Sequence, residues 1–227
     1  MNKAITAENT FTENTFTLRE PVSALTHFAG FWLSLIAMPM LFMRASMSPV
    51  VNTRGEFLSL AVFALSMILL YAASSAYHSF ILSERSIKRL KKIDHLMIFV
   101  LIAGTYTPMC TLVLRGSMGL ILLYVIWGIA AAGMIFKLFW VTCPKWISSV
   151  MYIAMGWTAI FFIIPLFRIL SPSQFTLLLL GGILYTVGGV IYALKWKLSD
   201  AFGSHELFHV FVMLGSLCHY VMIYSIL

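Results

Sequence analysis

The sequence predicts an all-α integral membrane protein that is a bundle of seven transmembrane helices, and three observations lead to this prediction. First, the chain is 61% apolar and only 10% charged, with a mean hydropathy of +0.95. A soluble domain carries about 25% charged residues, so this chain has too few polar side chains to cover a surface in water. Second, its apolar residues form seven long uncharged stretches. Third, its basic residues are distributed unevenly between those stretches.

The seven stretches account for almost the whole chain after a polar start. A helix that crosses the bilayer needs about 20 mostly apolar residues. The stretches that meet or approach this length are Ala24–Met43, Phe57–Leu82, Leu96–Leu114, Gly116–Phe136, Trp146–Phe167, Gln174–Leu194 and Leu207–Leu227. The third and fourth are divided only at Arg115–Gly116, which makes this boundary the weakest. Since only short polar connections remain, we expect residues 22–227 to form a single helical bundle.

Residues 1–21 are polar and include the repetitive segment ENTFTENTFT. Such low-complexity composition predicts a disordered tail. The first apolar stretch has no small-residue cleavage site after a short core, so we expect it to be retained as the first helix rather than cleaved as a signal peptide.

The net charge of +7 is interpreted as a topology signal rather than as a sign of nucleic-acid binding. Basic residues are enriched on the cytoplasmic side of membrane proteins. If the chain crosses seven times, the amino-terminal side carries Lys3, Arg19, Arg85, Lys88, Arg89, Lys91, Lys92, Lys137, Lys145, Lys195 and Lys197, and the other side carries Arg44, Arg54, Arg115 and Arg168. This ratio of 11 to 4 predicts a cytoplasmic amino terminus and an external carboxyl terminus. The run 85–92 is expected to form a basic loop that is attracted to anionic lipid.

Polar residues gather at the predicted cytoplasmic helix ends. Ser74 and His78 lie four residues apart near the end of the second helix, Asp94 is placed at the start of the third, and His205 and His209 lie four apart at the start of the seventh. The alternating topology brings all five residues to the same leaflet.

The histidine spacing suggests a metal site. Residues four apart differ by about 40° around a helix and about 6 Å along it, so His205 and His209 can face one atom. With His78 as a third ligand and a water as the fourth, the site would be an open tetrahedral zinc site of the catalytic kind. Zinc would lower the pKa of the bound water to about 7. Copper, iron or nickel also accept imidazole ligands, and an interfacial histidine can equally be a solvated side chain.

The other polar residues near these histidines are expected to support the site or to have no part in it. Asp94 is expected to hold or deprotonate the water, and Ser74 to bind a substrate carbonyl or orient a ligand. Glu20 and His27 are interpreted either as partners of the ligands or as helix-cap and interfacial residues. His95 is expected to point towards lipid headgroups, and His219, about 21 Å further along its helix than His205, is expected to be a packed or hydrogen-bonded histidine.

These motifs together resemble the haemolysin III family, which belongs with the progestin and adipoQ receptors. The resemblance rests on Ser74-xxx-His78, on Asp94 followed by LIAGTYTP, on YIAMGW at 152–157, and on His205-xxx-His209. It covers about residues 20–227. It implies a seven-helix fold with a cytoplasmic amino terminus, zinc bound by His78, His205 and His209, and functional roles for Ser74 and Asp94. It also implies a place in the bacterial cytoplasmic membrane.

Three functions are compatible with this resemblance. Related alkaline ceramidases imply zinc-dependent hydrolysis of an amide in a membrane lipid, or sensing of such a lipid. The family name implies a pore-forming cytolysin, although pores usually carry polar stripes through several helices and these stretches do not. A receptor-like protein with a structural zinc is the third. The sequence leaves the substrate and the oligomeric state open.

Overall fold

Within the described residues, seven helices are long and apolar enough to cross a membrane. The computed structural model describes residues 17–199 and 202–227, and no β-strand occurs in these two ranges. The prediction of an all-α seven-helix membrane protein is therefore confirmed. Residues 1–16 of the predicted disordered tail lie outside the described residues. The orientation of the two termini stays a prediction.

Eight α-helices form the seven spans, because the fifth span is interrupted. They are α1 (Pro21–Ser46), α2 (Arg54–Ser79), α3 (Glu84–Pro108), α4 (Gly116–Phe139), α5 (Lys145–Gly156), α6 (Ile163–Ile169), α7 (Pro172–Leu194) and α8 (Ser204–Ile226). A π-helix at Met109–Leu114 continues α3, and a 3₁₀-helix at Trp157–Phe162 joins α5 to α6.

The boundary between the third and fourth spans is a tight turn. Arg115 and Gly116 have positive φ angles of 45° and 55°. Glycine tolerates this conformation without strain, whereas arginine adopts it less readily. Arg115 is held there by its guanidinium, which donates to Val50 O at 2.8 Å and lies 3.4 Å from the Glu56 carboxylate. The predicted division at these two residues is confirmed.

The beginning of α3 differs from the prediction. The helix begins at Glu84, where Ser83 Oγ accepts a hydrogen bond from Ser86 N–H as the N-cap. Asp94 therefore lies ten residues inside the helix, and the predicted basic loop is its first turns. The reason is that Lys and Arg favour helix while opposing burial in lipid, so hydropathy marks where the apolar span begins and not where the helix begins.

The third span lies at the centre of the bundle. Of its most apolar window, 67% is buried, against 50% or less in each of the other spans. Phe99 of α3 packs in a core with Phe63 of α2 and Ile126 of α4, all of which are almost completely buried. Side chains of α3 can therefore face the interior of the protein along most of the helix.

The bundle closes by packing the last helix against the first. α8 contacts both α7 and α1, and α1 packs along α2. Just before α1, Glu20 N–H donates to His78 O at 3.0 Å and Arg19 N–H donates to Ser79 O at 3.2 Å. These bonds place the entry of α1 beside the end of α2, close to the start of α8.

Candidate metal centre

Three histidines from two helices converge on a common point. His78 lies in the last turn of α2, and His205 and His209 lie in the first two turns of α8. One ring nitrogen of each lies within 4.8 Å of the corresponding nitrogens of the others, and the Nε2 atoms of His78 and His205 are 3.0 Å apart. His78 and His209 are almost completely buried, and His205 is partly exposed. The structure thus brings together the three histidines that were predicted from the sequence as metal ligands.

The spacing of these nitrogens fits a small metal ion with imidazole ligands. In a tetrahedral zinc site with Zn–N distances of 2.0–2.1 Å, ligand nitrogens are separated by about 3.3 Å. The separation of 3.0 Å between two of the nitrogens, and of at most 4.8 Å among all three, is compatible with this value after small ring movements. This fit does not distinguish zinc from other transition metals, because those metals also bind neutral imidazole.

The outer nitrogens of two of these rings are already held by hydrogen bonds. His78 Nδ1 bonds the Glu20 carboxylate. His209 Nδ1 lies 3.2 Å from Ser23 O and 3.2 Å from Thr26 Oγ1. A partner at Nδ1 fixes the tautomer and the ring orientation, and it leaves Nε2 free for a metal. Glu20 lies outside the spans, and its hydrogen bond with His78 lowers the pKa of Glu20, which favours the charged carboxylate.

Glu206 holds the start of α8 against α1, a role that was not predicted from the sequence. Its Oε1 accepts from Ser23 Oγ at 2.8 Å, and its Oε2 accepts from Gly203 N–H at 3.0 Å. The second contact is an ordinary N-terminal capping interaction, which the position three residues after Gly203 could have suggested. The contact with Ser23 could not have been predicted from a local sequence pattern, because Ser23 lies 183 residues earlier in the chain.

Asp94 and Ser74 face the cavity next to the histidines. Both are buried, and both line the cavity that His205 and His209 also line. Ser74 Oγ lies next to the Asp94 carboxylate but makes no well-formed hydrogen bond in the described part of the chain, so these two side chains can bind a ligand together. A carboxylate at the start of a helix ordinarily acts as an N-cap, but Asp94 lies in the interior of α3 and cannot do so.

Two further histidines also line this cavity. His95 is buried there, so the expectation that it faces headgroups is wrong. His27 stacks on His209 with ring centroids 3.6 Å apart and an interplanar angle of 6°. Neither ring nitrogen of His27 has a hydrogen-bond partner within residues 17–199 and 202–227. Of the two interpretations of His27 from sequence, the interfacial one does not fit its buried position, and the stacking on His209 fits a residue that supports the converging histidines.

The cavity extends away from the histidines into the apolar interior. It has a volume of about 100 Å³, and a second cavity of about 70 Å³ shares Tyr106, Trp157 and Gly182 with it and reaches Leu122. His219 lies along this extension and bonds Leu178 O through Nε2 at 3.2 Å. It belongs to the packed interior, as predicted, and not to the group of converging nitrogens.

Comparison with known proteins places the whole bundle in one family. A family described as haemolysin-III related matches residues 16–220. The "Hemolysin-3 homolog" of Bacillus subtilis (strain 168) is 39% identical over 202 residues, which cover 88% of this chain and 91% of that protein. The "Hemolysin-3" of Bacillus cereus is also 39% identical over 202 residues, with 88% of each chain covered. Matches of this extent show that the chain is a member of the haemolysin III-related family.

Proposed function

We propose that this protein binds zinc through His78, His205 and His209 and that it hydrolyses a membrane lipid at that site, in the cytoplasmic membrane of a bacterium. The observation that carries the proposal is the convergence of three ring nitrogens beside an apolar cavity. Zinc held by three imidazoles keeps one coordination position open, and when bound it supplies an activated water at neutral pH.

The residues around the histidines fit acyl transfer to water. Asp94 is a buried carboxylate on the cavity wall, where its oxygen can accept a proton from the attacking water and return it to the leaving group. The Ser74 hydroxyl, next to Asp94 and without a well-formed hydrogen bond in the described structure, can donate a hydrogen bond to the carbonyl oxygen of a substrate. An amide or ester carbonyl is the group that both residues would serve.

The shape and polarity of the cavity favour a lipid as the substrate. Most of the lining surface is apolar, with contributions from Ile98, Ile102 and Val212, and Asp94 and Ser74 line the same cavity as His205 and His209. An acyl chain in the apolar part would bring its carbonyl to the polar part. The membrane lipid is therefore proposed to enter with its chain in the bundle, and holding the substrate in this way contributes through orientation.

Two measurements test this proposal. Metal analysis of the detergent-purified protein should find about one zinc per chain, and a panel of N-acyl lipids and lipid esters should include one that the zinc-replete protein hydrolyses. Chelation should abolish turnover, and added zinc should restore it. A protein that carries zinc but cleaves no lipid amide or ester would instead support lipid sensing, with the metal in a structural role.

A second candidate function comes from the names of the relatives. The relative from Bacillus cereus is named "Hemolysin-3", so lysis of cells is the competing proposal. It requires a water-filled path, whereas the cavities here are mostly apolar and the converging histidines lie at one end of the bundle. Release of a trapped dye from liposomes by the purified protein, unaffected by His78→Ala, would favour the cytolysin over the hydrolase.

A further inference from the structure

A second polar cluster, formed by α4, α5 and the loop between them, lies behind the wall of the same cavity. Its centre is Lys137 of α4, whose side chain is completely buried. Lys137 Nζ donates hydrogen bonds to Ser148 Oγ at 2.5 Å and to Cys143 Sγ at 3.0 Å. Lysine is almost never fully buried without a partner of opposite charge, so this position needs an explanation.

No carboxylate lies within 4.0 Å of Lys137 Nζ in the described parts of the chain. A buried charge with no opposite charge is strongly unfavourable, and hydrogen bonds to a hydroxyl and a thiol compensate for only part of the lost hydration. The ring of Tyr152 lies 6.0 Å from Nζ and adds a weak cation–π contact. An ammonium group at Lys137 would therefore have only a hydroxyl, a thiol and an aromatic ring around it in the described residues, and none of these carboxylate-free contacts would balance its charge.

Ser148 connects this charge to the cavity. Ser148 lines the cavity, and its oxygen accepts from Lys137. Its own proton is then free to bond either Cys143 Sγ, 3.4 Å away, or a ligand in the cavity. His95, from α3, lines the same cavity, is more than nine-tenths buried, and has an Nδ1 atom with no hydrogen-bond partner in the described structure. Ser148 and His95 are thus two polar residues on the wall of one cavity, and each keeps a hydrogen-bonding atom that the described structure does not commit to another partner.

We propose that Lys137, Ser148 and His95 form an anion subsite that binds the carboxylate or phosphate of a lipid whose chain occupies the cavity. Ser148 donates to the anion, and Lys137 supplies the opposite charge behind it. This subsite is separate from the three converging histidines, which lie on α2 and α8. The inference rests on the proposed function only in placing a lipid in the cavity, and it requires neither hydrolysis nor a bound metal.

The test compares ligands that share one chain and differ in charge. Tritiated palmitate bound to the detergent-purified full chain is displaced with unlabelled palmitate, hexadecyl phosphate or hexadecanol, before and after chelation of metal. The wild type should prefer the two anions over the alcohol by about tenfold or more, since one charge-assisted hydrogen bond gives a difference of this order. The relative affinity of palmitate and hexadecyl phosphate then identifies which anion the subsite favours.

Variants connect the preference to the cluster. Lys137→Met should remove the preference for anions, and Ser148→Ala should reduce it, while Ser149→Ala, which changes the neighbouring cavity-lining serine, should leave it intact. Thermal melting checks the folding of each variant, and Ser148→Ala decides the matter if Lys137→Met does not fold. Equal affinity of the wild type for all three ligands would overturn the proposal. A preference for anions that survives in both Lys137→Met and Ser148→Ala would also overturn it, as would a preference that chelation of metal abolishes in the wild type. A preference for anions that appears only in Cys143→Ala would overturn it as well, because it would identify the Cys143 thiolate as the counter-ion of Lys137.

Discussion

At the residue scale, the converging histidines differ in how firmly their rings are fixed. His78 is held through Nδ1 by Glu20, and His209 by Ser23 and Thr26. His205 is the most exposed of the three. Such outer partners keep the ligand nitrogens aimed at one point before any metal arrives, which reduces the ordering that metal binding requires.

We expect each of His78→Ala, His205→Ala and His209→Ala to lose stoichiometric zinc. Losing a ligand should weaken binding by far more than the 10–100-fold typical of changes in the partners of ligands. The measurement is zinc per folded chain by mass spectrometry. His219→Ala is the matched control, because His219 lies on the same helix but bonds Leu178 O, and it should keep its zinc. Full zinc content in all three ligand variants would refute the assignment.

Glu20→Gln tests the bond behind His78. The amide keeps the size of the side chain but removes the negative charge that favours a metal-ready tautomer. We expect zinc affinity to fall by about 10–100-fold without loss of the fold. Competition with a chromogenic chelator measures this change. The control is Glu84→Gln, which changes an exposed carboxylate at the start of α3. Equal zinc affinities in Glu20→Gln and Glu84→Gln would show that Glu20 acts only as a surface charge.

Asp94→Asn tests whether this carboxylate takes part in the reaction, because Asp94 lies inside α3 and does not cap the helix. The change keeps the shape of the side chain and removes a base and a negative charge. We expect zinc content and folding to be nearly unchanged, while hydrolysis of the active lipid falls by about 10²–10⁴-fold, the usual contribution of a general acid–base group. Turnover equal to that of the wild type would show that Asp94 does not act in the reaction.

At the scale of the elements, the spans could be predicted from sequence because a lipid-facing helix must be apolar along its whole length. The start of α3 could not, because residues 84–92 form helix outside the apolar window. The interruption of the fifth span at Trp157 was also missed, since a 3₁₀ stretch has the same composition as the helix around it. Composition therefore indicates whether a segment faces lipid or water. It says much less about where the backbone changes from one hydrogen-bonding pattern to another.

The candidate metal joins two elements that are distant in the sequence, so its removal should weaken the contact between α2 and α8. We expect chelation to lower the melting temperature of the wild type, because a ligand that binds only the folded state stabilises it in proportion to the logarithm of its concentration over Kd. Differential scanning fluorimetry in detergent measures the shift. His78→Ala should melt at the same temperature with and without chelator. A wild type that does not respond would argue against a bound metal that connects these helices.

At the scale of the whole molecule, the basic residues predict its orientation. Reporter fusions should place the amino terminus in the cytoplasm and the carboxyl terminus outside, because 11 of 15 Lys and Arg residues lie on the amino-terminal side. An alkaline phosphatase fusion, active only outside, and a green fluorescent protein fusion, fluorescent only inside, give complementary readings at each end. Termini found on the same side would contradict seven crossings of the membrane.

The sequence also predicted the candidate site unevenly, and the difference follows from distance along the chain. His205 and His209 carry a local signal in their spacing, and His78 joins them because alternating spans return to the same leaflet. The bond between Glu20 and His78 depends on how α1 enters beside α2, which no local pattern encodes. Lys137 was counted among cytoplasmic charges, although its side chain is completely buried, because charge counting does not resolve which way a side chain points.

The closing of α8 against α1 and α2 has a consequence for biogenesis. His78 and His205 are 127 residues apart, so at 5–20 residues per second the ribosome needs about 6–25 seconds to deliver the second after the first. During that interval His78 has been synthesised but its partners on α8 do not exist. A metal ion that needs all three histidines could therefore bind only after α8 has been synthesised. A chain stalled or truncated before α8 would enter the membrane with six spans and with only one of the three histidines, so it could not complete the proposed site.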